Sequence, residues 1–337
     1  MERYFLGNNT AHGFVGNYET ELADKRKVVL LKGGPGTGKS TILKRVAQEA
    51  KERGLDFELW YCSGDPSSLD GVYIKDLNVA VVDATAPHAT GANLPVIKDV
   101  IVDLATSLKE EVISPHKDEI VKLIKCKKER FIRAYQHLKL ALCHLENQIA
   151  LEWQNVCEPK IRRKAVEMAN ELQARLSGVQ GKAERARKVF VQAICPYGES
   201  EYFDHLKGKK IVKVEGGERA TGVFFDELRK FVTGTEILNP LEPKFIDGIV
   251  AGDVAVVKDV GFEKDYDKIN LKEFERFENE KDIVDEKNGV AIEKAFAVEE
   301  LNKAREYHLD VEKYFVSAMD FEHNEKLSKR VLDICFG

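Results

Sequence analysis

Gly33 to Ser40 read Gly-Gly-Pro-Gly-Thr-Gly-Lys-Ser, an order of residue types that suits one task, cradling a polyphosphate. Gly34, Gly36 and Gly38 allow backbone conformations that a side chain would forbid, so successive N–H groups can turn inward. The helix expected from Thr41 onward adds the positive end of its dipole. Lys39 is placed to reach the β- and γ-phosphates, and the Ser40 hydroxyl to ligate Mg²⁺. The expected nucleotide-binding set is therefore Gly34, Pro35, Gly36, Thr37, Gly38, Lys39, Ser40 and Thr41. An ordinary glycine-rich turn explains the residue types but not their full register between an apolar strand, Val28 to Leu31, and an amphipathic helix.

Carboxylates at matching distances complete the chemistry. Asn78-Val79-Ala80-Val81-Val82-Asp83 is an apolar strand ending in an acid, the pattern of a Walker B segment, about 40 residues after the loop. Asp83 there would hold the same Mg²⁺ as Ser40. The next residues, Ala84-Thr85-Ala86-Pro87-His88, lack the Glu that many hydrolytic P-loop ATPases use to activate water, which argues against a fast motor-type ATPase. Thr85 and His88 are placed to touch a γ-phosphate or a second substrate, although a lone His more often serves structure. Asp65 and Asp70 occupy the segment after a second strand, Phe57 to Cys62. In α/β folds the carboxyl ends of strands face the ligand, so either acid is a candidate base or outer-sphere metal ligand. Turn-forming Asp explains them equally well. Lys39, Asp83, Asp65 and Asp70 form the expected catalytic set.

Periodicity supplies the elements that must position these groups. Tyr4 to Leu6 reads as a short strand and Phe14 to Leu22 as a short helix, with turn chemistry at Gly7-Asn8-Asn9-Thr10. From about Val96 to Ser177 apolar residues recur every three or four positions. Ile97 to Val112 is expected as one helix, Lys117 to Trp153 as a second, and Lys160 to Leu176 as a third that returns on it. The result would be an antiparallel helical hairpin, suited to a lid, a partner-binding arm or self-association. Its basic run, Lys160 to Lys164, reads as a solvated face, with a phosphate-binding Arg162 or Arg163 as the sharper alternative.

Past Gly178-Val179-Gln180-Gly181 the chain begins again. Lys188-Val189-Phe190-Val191 echoes Tyr4-Phe5-Leu6, and Ile211 to Gly217 echoes the first loop strand and its Gly-Gly. Phe245 to Val250 echoes Ser68 to Tyr73, and Asp253 to Val257 echoes Asn78 to Val82. The echoes keep their order about 180 residues apart, as an internal duplication would. Glu218-Arg219-Ala220-Thr221-Gly222-Val223 stands where Pro35 to Ser40 stood, so the phosphate lysine and the metal hydroxyl are lost. Glu215 and Glu218 bring repulsive charge, and Lys258 or Asp259 falls at the Asp83 position. Arg219 is either a surface arginine or a finger directed at the first site. Leu271 to Glu280 and Val290 to Leu332 read again as charged amphipathic helix.

A chain of 337 residues favours more than one domain, and a net charge of −5 offers no global attraction to nucleic acid or anionic membrane. The six cysteines include no C-x-x-C pair and no zinc spacing, which fits reduced thiols. Neither a signal core nor a membrane-length apolar run is present. The expectation is a cytoplasmic protein with no membrane partner, and nucleic acid is not an expected partner.

Phe5, Thr10-Ala11-His12-Gly13, Gly33 to Thr41, Cys62-Ser63 through Ser68-Leu69-Asp70-Gly71, and Asp83 to His88 together resemble a little-characterised family of prokaryotic P-loop ATPases with two tandem modules. The resemblance spans nearly the whole chain and is specific in the first half. Members often retain both loops, so the eroded second loop is a departure. The resemblance implies nucleotide binding and little beyond it. The expected architecture is an α/β P-loop NTPase fold, a mostly parallel sheet flanked by helices, duplicated, with a long helical-hairpin insertion. Its divisions are a nucleotide core at 1–105, a helical arm at 106–180 and a degenerate module with C-terminal helices at 181–337. The expected function is Mg²⁺-dependent ATP binding with slow hydrolysis in the first module. The alternatives are a small-molecule or nucleotide kinase, and an ATP-gated interaction protein with negligible turnover. ATP is preferred over GTP because no Asn-Lys-x-Asp motif stands out.

Overall fold

A computed structural model describes residues 1–87, 91–176, 187–259 and 266–337. In the first module β1 (Glu2–Tyr4), the hairpin β2 (Gly7–Thr10) and β3 (Gly13–Gly16), and α1 (Tyr18–Leu22) precede the loop strand β4 (Lys27–Lys32). Then come α2 (Lys39–Glu52), β5 (Phe57–Tyr61), β6 (Leu69–Ile74), β7 (Val79–Asp83) and β8 (Asp99–Asp103). Three helices follow: the short α3 (Glu110–Ile113), α4 (Lys117–Trp153) and α5 (Glu158–Leu176). The second module repeats the plan with β9 (Arg187–Val189), β10 (Gln192–Cys195), β11 (Gly198–Glu201), β12 (Lys210–Glu215) and α6 (Glu218–Leu228). It continues through β13 (Thr235–Leu238), β14 (Ile246–Ala251), β15 (Val254–Lys258) and β16 (Asp267–Asn270), and the chain closes with α7 (Glu280–Ser317) and α8 (Phe321–Phe336). No helix among the described residues is long and apolar enough to cross a membrane.

The two six-stranded sheets have the same order, β1-β5-β6-β7-β4-β8 and β9-β13-β14-β15-β12-β16. Their pairings match strand by strand: parallel at β1–β5, β7–β4 and β4–β8, antiparallel at β5–β6 and β6–β7, and likewise in the second sheet. Even the irregularity recurs, between Trp60 and Tyr61 in one sheet and between Ile237 and Leu238 in the other. The sequence echoes thus correspond to two α/β modules.

The modules join through equivalent residues. Phe5 N–H donates to the Phe190 carbonyl at 2.9 Å, and Phe190 N–H returns a bond to Phe5 at 3.1 Å. Such reciprocity is what two like units related by a two-fold produce. Both rings are fully buried, and Phe5 enters the core of the second module with Phe224 and Ala193. Val189 and Val191 in turn pack with Leu6, Leu30 and Trp60 of the first. Arg187 bridges the units with a paired contact to Glu58 (2.9 and 2.6 Å) and a bond to Glu21 (3.0 Å).

The helical reading needs correction in several places. Asp99 to Asp103, expected within a helix, is strand β8, parallel to β4. A short β-branched run carries no reliable period, and here Val100-Ile101-Val102 finds an open sheet edge. Phe14 lies in β3 and not in a helix, and Asp70 lies within β6 and not in the loop before it. The expected hairpin of the second and third helices does not form. α4 pairs with α7, which enters 127 residues after α4 ends by number, and α5 packs on α6 through Ile161, Ala165, Met168 and Leu172. Partners run in opposite directions along the α4–α7 pair: Arg130 with Glu300, His137 with Glu293, His144 with Glu286. Gly289 gives room to the His144 ring, which a side chain there would strike. The buried stripe is Ala134, Leu138, Ala141, Leu142 and Leu145 against Ala297 and Leu301. α8 crosses back to the first module, where Val331 and Cys335 join the core beneath α2. The sequence break at 178–181 lies outside the described residues.

Phe5 and Phe190 seal the junction, so Phe5→Ala and Phe190→Ala should each destabilise the chain by about 3–5 kcal/mol, measured as a lowered urea midpoint.

Candidate functional site

The loop from Gly33 to Gly38 joins the end of β4 to the start of α2, beside the end of the parallel strand β7. Gly36 (φ 70) and Gly38 (φ 85) adopt left-handed backbone that other residues rarely take. Thr37, fully buried, ties the turn by donating from its hydroxyl to the Gly34 carbonyl at 2.8 Å. Lys39 folds along the loop and donates to the carbonyls of Gly33 (2.9 Å) and Gly34 (2.8 Å). Its ammonium lies 3.7 Å from Asp83 Oδ2. Asp83 Oδ1 accepts from the Thr85 N–H at 2.8 Å and from the Thr85 hydroxyl. Ser40 Oγ accepts from the Leu69 N–H at 3.1 Å, which ties α2 to the start of β6. Pro35 lies within this turn, and Thr41 is exposed on the first turn of α2. His88 lies outside the described residues.

The other two acids differ in setting. Asp65 sits in the turn after β5 and accepts from the hydroxyls of Ser67 (2.8 Å) and Ser68 (2.9 Å). Burial works to raise its pKa, but the Ser67 and Ser68 donors outweigh it and hold the carboxyl below its usual range. Asp70 is buried near the start of β6, where the Tyr18 hydroxyl donates to it at 3.0 Å. Burial and the nearby Asp70 carboxylate push both the Tyr18 hydroxyl and the Cys62 thiol well up.

A divalent cation fits this set in one way. Among the described residues no group of three or more His, Cys, Asp or Glu is gathered as for an all-protein metal site. Ser40 and Asp83 could offer two oxygens at neighbouring helix and strand ends, and a Mg²⁺ held there would need water and phosphate oxygens to complete its shell.

The long helices contribute groups that periodicity alone read as solvated. One face of α7 lies over the loop. A side chain at Gly34 would collide with the Phe315 ring, and one at Gly36 with Val316 and Glu312. Asn324 of α8 donates to the Thr37 carbonyl at 3.1 Å. On the same face Arg305 Nε lies 3.9 Å from Asp65 Oδ1, and its guanidinium rests 4.9 Å from the Tyr197 ring centre. Arg305 Nε is buried without a hydrogen-bond partner among the described residues. Lys127 of α4 donates to His308 Nδ1 at 3.4 Å. Burial, then the positive charges of Lys127 and Lys39, push His308 down to about 4. Burial and Lys39 likewise lower Lys127. Arg305, His308, Glu312 and Phe315 recur at three and four positions, so the signal was present on one helical stripe. Nothing in the chain order said that this stripe faces the loop.

The second loop is built with opposite charge. Gly217 N–H donates to Glu275 Oε1 at 2.6 Å and Arg219 N–H to Glu152 Oε2 at 2.7 Å. The amide groups that open α6 are thus held by carboxylates from α4 and from the segment before α7. Burial, with Glu152 close by, lifts Glu275 although the Gly217 donor opposes it. Strand register pairs Val214 with Lys258 as it pairs Leu31 with Asp83, so Lys258 occupies the Asp83 position and Asp259 does not. Lys258 donates to Glu218 at 2.6 Å, the reverse of the Lys39–Asp83 polarity. Arg219 is no finger towards the first site. Its guanidinium stacks 3.8 Å over Trp153 and bonds Glu158, both beside its own loop. Arg162 pairs with Glu158 (3.1 Å) and Glu227 (2.8 Å), so it braces α5 on α6 and is not directed at a phosphate loop.

No protein-family model, curated protein or solved structure matches this chain.

Two outcomes follow from these environments. Between about 6.5 and about 4 the unfolded chain protonates at residue 308 while the folded imidazole resists, so the unfolded state binds more protons. Stability should therefore fall as pH is lowered through that window, and His308→Gln should flatten part of the fall in urea midpoints. Glu152→Ala leaves the Arg219 amide without its acceptor and should cost about 2–3 kcal/mol, read by the same titration at pH 7.

Proposed function

We propose that the first module binds a nucleoside triphosphate at Gly33 to Thr41, with ATP and Mg²⁺ as the natural pair, and hydrolyses it slowly. The observation that supports this best is the convergence of Lys39, Ser40 and Asp83 on one glycine turn, at the carboxyl ends of the parallel strands β4 and β7. The loop amides and the start of α2 carry partial positive charge towards the phosphates. Lys39 would exchange its bonds to the Gly33 and Gly34 carbonyls for phosphate oxygens. Ser40 and Asp83 would hold the cation, which neutralises phosphate charge. Catalysis would rest on this positioning and charge stabilisation.

Slow turnover follows from the acids available. Asp65 holds its charge through Ser67 and Ser68, and a carboxyl kept below its usual range is a weak base near neutral pH. Asp70 is buried against Tyr18, so a supporting role behind Asp83 suits it better than contact with a nucleophile.

One observation favours coupling between nucleotide and helical arm. Phe315, Val316 and Glu312 cover Gly34 and Gly36, and Asn324 holds Thr37, so phosphates entering the loop must meet α7 and α8. The reading of an ATP-gated arm is therefore compatible with slow hydrolysis and extends it.

Mg²⁺-dependent phosphate release should be measurable in the full chain and fall by about 100-fold or more in Lys39→Ala and Asp83→Ala. Absence of nucleotide binding in the parent protein would overturn the reading. Phosphate appearing on an added acceptor, in place of free phosphate, would select a kinase.

A further inference from the structure

We propose that Lys127 and Arg305, carried by the facing helices α4 and α7, receive the terminal phosphate of the nucleotide, so that the helical arm distinguishes a triphosphate from a diphosphate. This rests on the nucleotide reading of the first loop and adds the residues that read its ligand.

Lys127 is partly buried, its one hydrogen-bond partner is the imidazole of His308, and no carboxylate lies within ion-pair distance of it among the described residues. Burial and Lys39 both work against its charge. Arg305 Nε is buried without a hydrogen-bond partner among the described residues, and its one nearby acid, Asp65, stands 3.9 Å away. Asp65 already accepts from Ser67 and Ser68. A partly buried cation with no acid in hydrogen-bond contact is costly, and the two meet at His308, Lys127 through its 3.4 Å contact and Arg305 from one turn away on α7.

Their placement identifies the anion. Lys39 is the residue that the loop motif directs at the β- and γ-phosphates, and Arg305 stands 3.9 Å from Asp65, which holds Ser68 beside the Leu69 N–H that donates to Ser40. Arg305 and His308 lie one turn apart on α7, and Glu312 and Phe315 of that face lie over Gly36 and Gly34. The cations therefore lie on the helical side of the loop, and a polyphosphate held by the loop amides is proposed to end on that side. A terminal phosphate adds negative charge and three acceptor oxygens there, while a diphosphate ends short of it. A planar guanidinium and an ammonium are suited to such a group. Because they sit on opposite helices, one phosphate would draw α4 and α7 together over the loop.

The acids on this face set a limit on other ligands. Asp65, Asp83 and Glu312 all border the region, so a free anion without an accompanying cation meets repulsion. A nucleotide phosphate bound with Mg²⁺ does not, since Asp83 would then be engaged with the metal.

The test compares ADP, a non-hydrolysable ATP analogue, and ADP with inorganic phosphate, all with Mg²⁺, by calorimetry on the full chain. Lys127→Met and Arg305→Gln should each weaken the ATP analogue by about 10- to 100-fold and change ADP affinity by less than about threefold. Arg305→Lys should recover part of the loss, and it also serves if Arg305→Gln does not fold. Thermal melting without nucleotide supplies a readout that a structural role would not give. Lys127→Met should melt at or above the parent temperature, because it removes a cation that burial and Lys39 disfavour, while losing the extra stabilisation by the ATP analogue. Equal losses for both nucleotides, or an unchanged preference, would overturn the proposal. So would inorganic phosphate with ADP matching the ATP analogue, which would make the ligand a separate phosphate. Lys39→Ala separates the two levels of inference: if it leaves the binding of both nucleotides intact, the loop reading itself fails.

Discussion

A glycine-rich turn that opens a helix leaves backbone N–H groups pointing at a place that an anion satisfies well. This chain contains two such turns in equivalent positions, and most of its architecture follows from how each is answered. At α6 the acceptors come from within, Glu152 and Glu275 on the Arg219 and Gly217 amides. At α2 no side chain of the described residues accepts from the amides of Gly33 to Gly38, and the side chains gathered nearby are cations as well as metal-type oxygens. One loop carries its own counter-charge. The other has no such acceptor among the described residues, and the proposed nucleotide would supply one.

The same helix pair serves both loops. On α4, Lys127 and Glu152 are separated by about 38 Å of helix at 1.5 Å per residue, with Lys127 facing the first site and Glu152 the second. On the other side of the pair, Glu275 just before α7 meets the second loop, and Arg305, Glu312 and Phe315 meet the first. The pair is anchored by buried carboxylates at one end and lies over a glycine loop at the other. The reciprocal Phe5–Phe190 bonds hold the two sheets in the relation that lets a single straight pair reach both. Polar contacts along its length, the Arg130–Glu300 ion pair and the His137–Glu293 and His144–Glu286 hydrogen bonds, set the register between the helices.

The second loop is held from within the fold, its amides taken up by Glu152 and Glu275. The second turn is also shorter, Gly216-Gly217 against Gly33 to Gly38, so Glu218 opens α6 where Lys39 opens α2, Gly222 and Val223 fall inside α6 and not at the Lys39 and Ser40 positions expected from sequence, and the Lys258–Glu218 pair reverses the charge of Lys39–Asp83. The module keeps its sheet and its glycine turn and uses them as a socket for α4. Arg219, stacked on Trp153 and bonded to Glu158, strengthens that socket.

Local chemistry made part of this legible in the sequence. A strand, a glycine turn, Lys39, Ser40 and a later strand ending in Asp83 act over a short span, where backbone conformation and residue type dictate one another. The duplication was legible for a similar reason, since apolar strands keep their pattern while their loops diverge. Pairing between distant helices was not. Lys160 to Leu176 and Glu280 to Ser317 both carry an apolar stripe, and periodicity says that a stripe is buried without saying against what. Tertiary structure gave α4 to α7 and α5 to α6, turned Val100-Ile101-Val102 into an edge strand, and buried Asp70 against Tyr18. It also brought Lys127 to His308 and Arg305 to Asp65, so charges that look solvated along a helix are partly enclosed on the side of the first loop. The sequence by itself determined the glycine turn between strand and helix, with Lys39, Ser40 and Asp83 at its edges; which other charges face that turn was decided only by packing between segments far apart in the chain, because that contact is set by burial of whole faces and leaves no local mark.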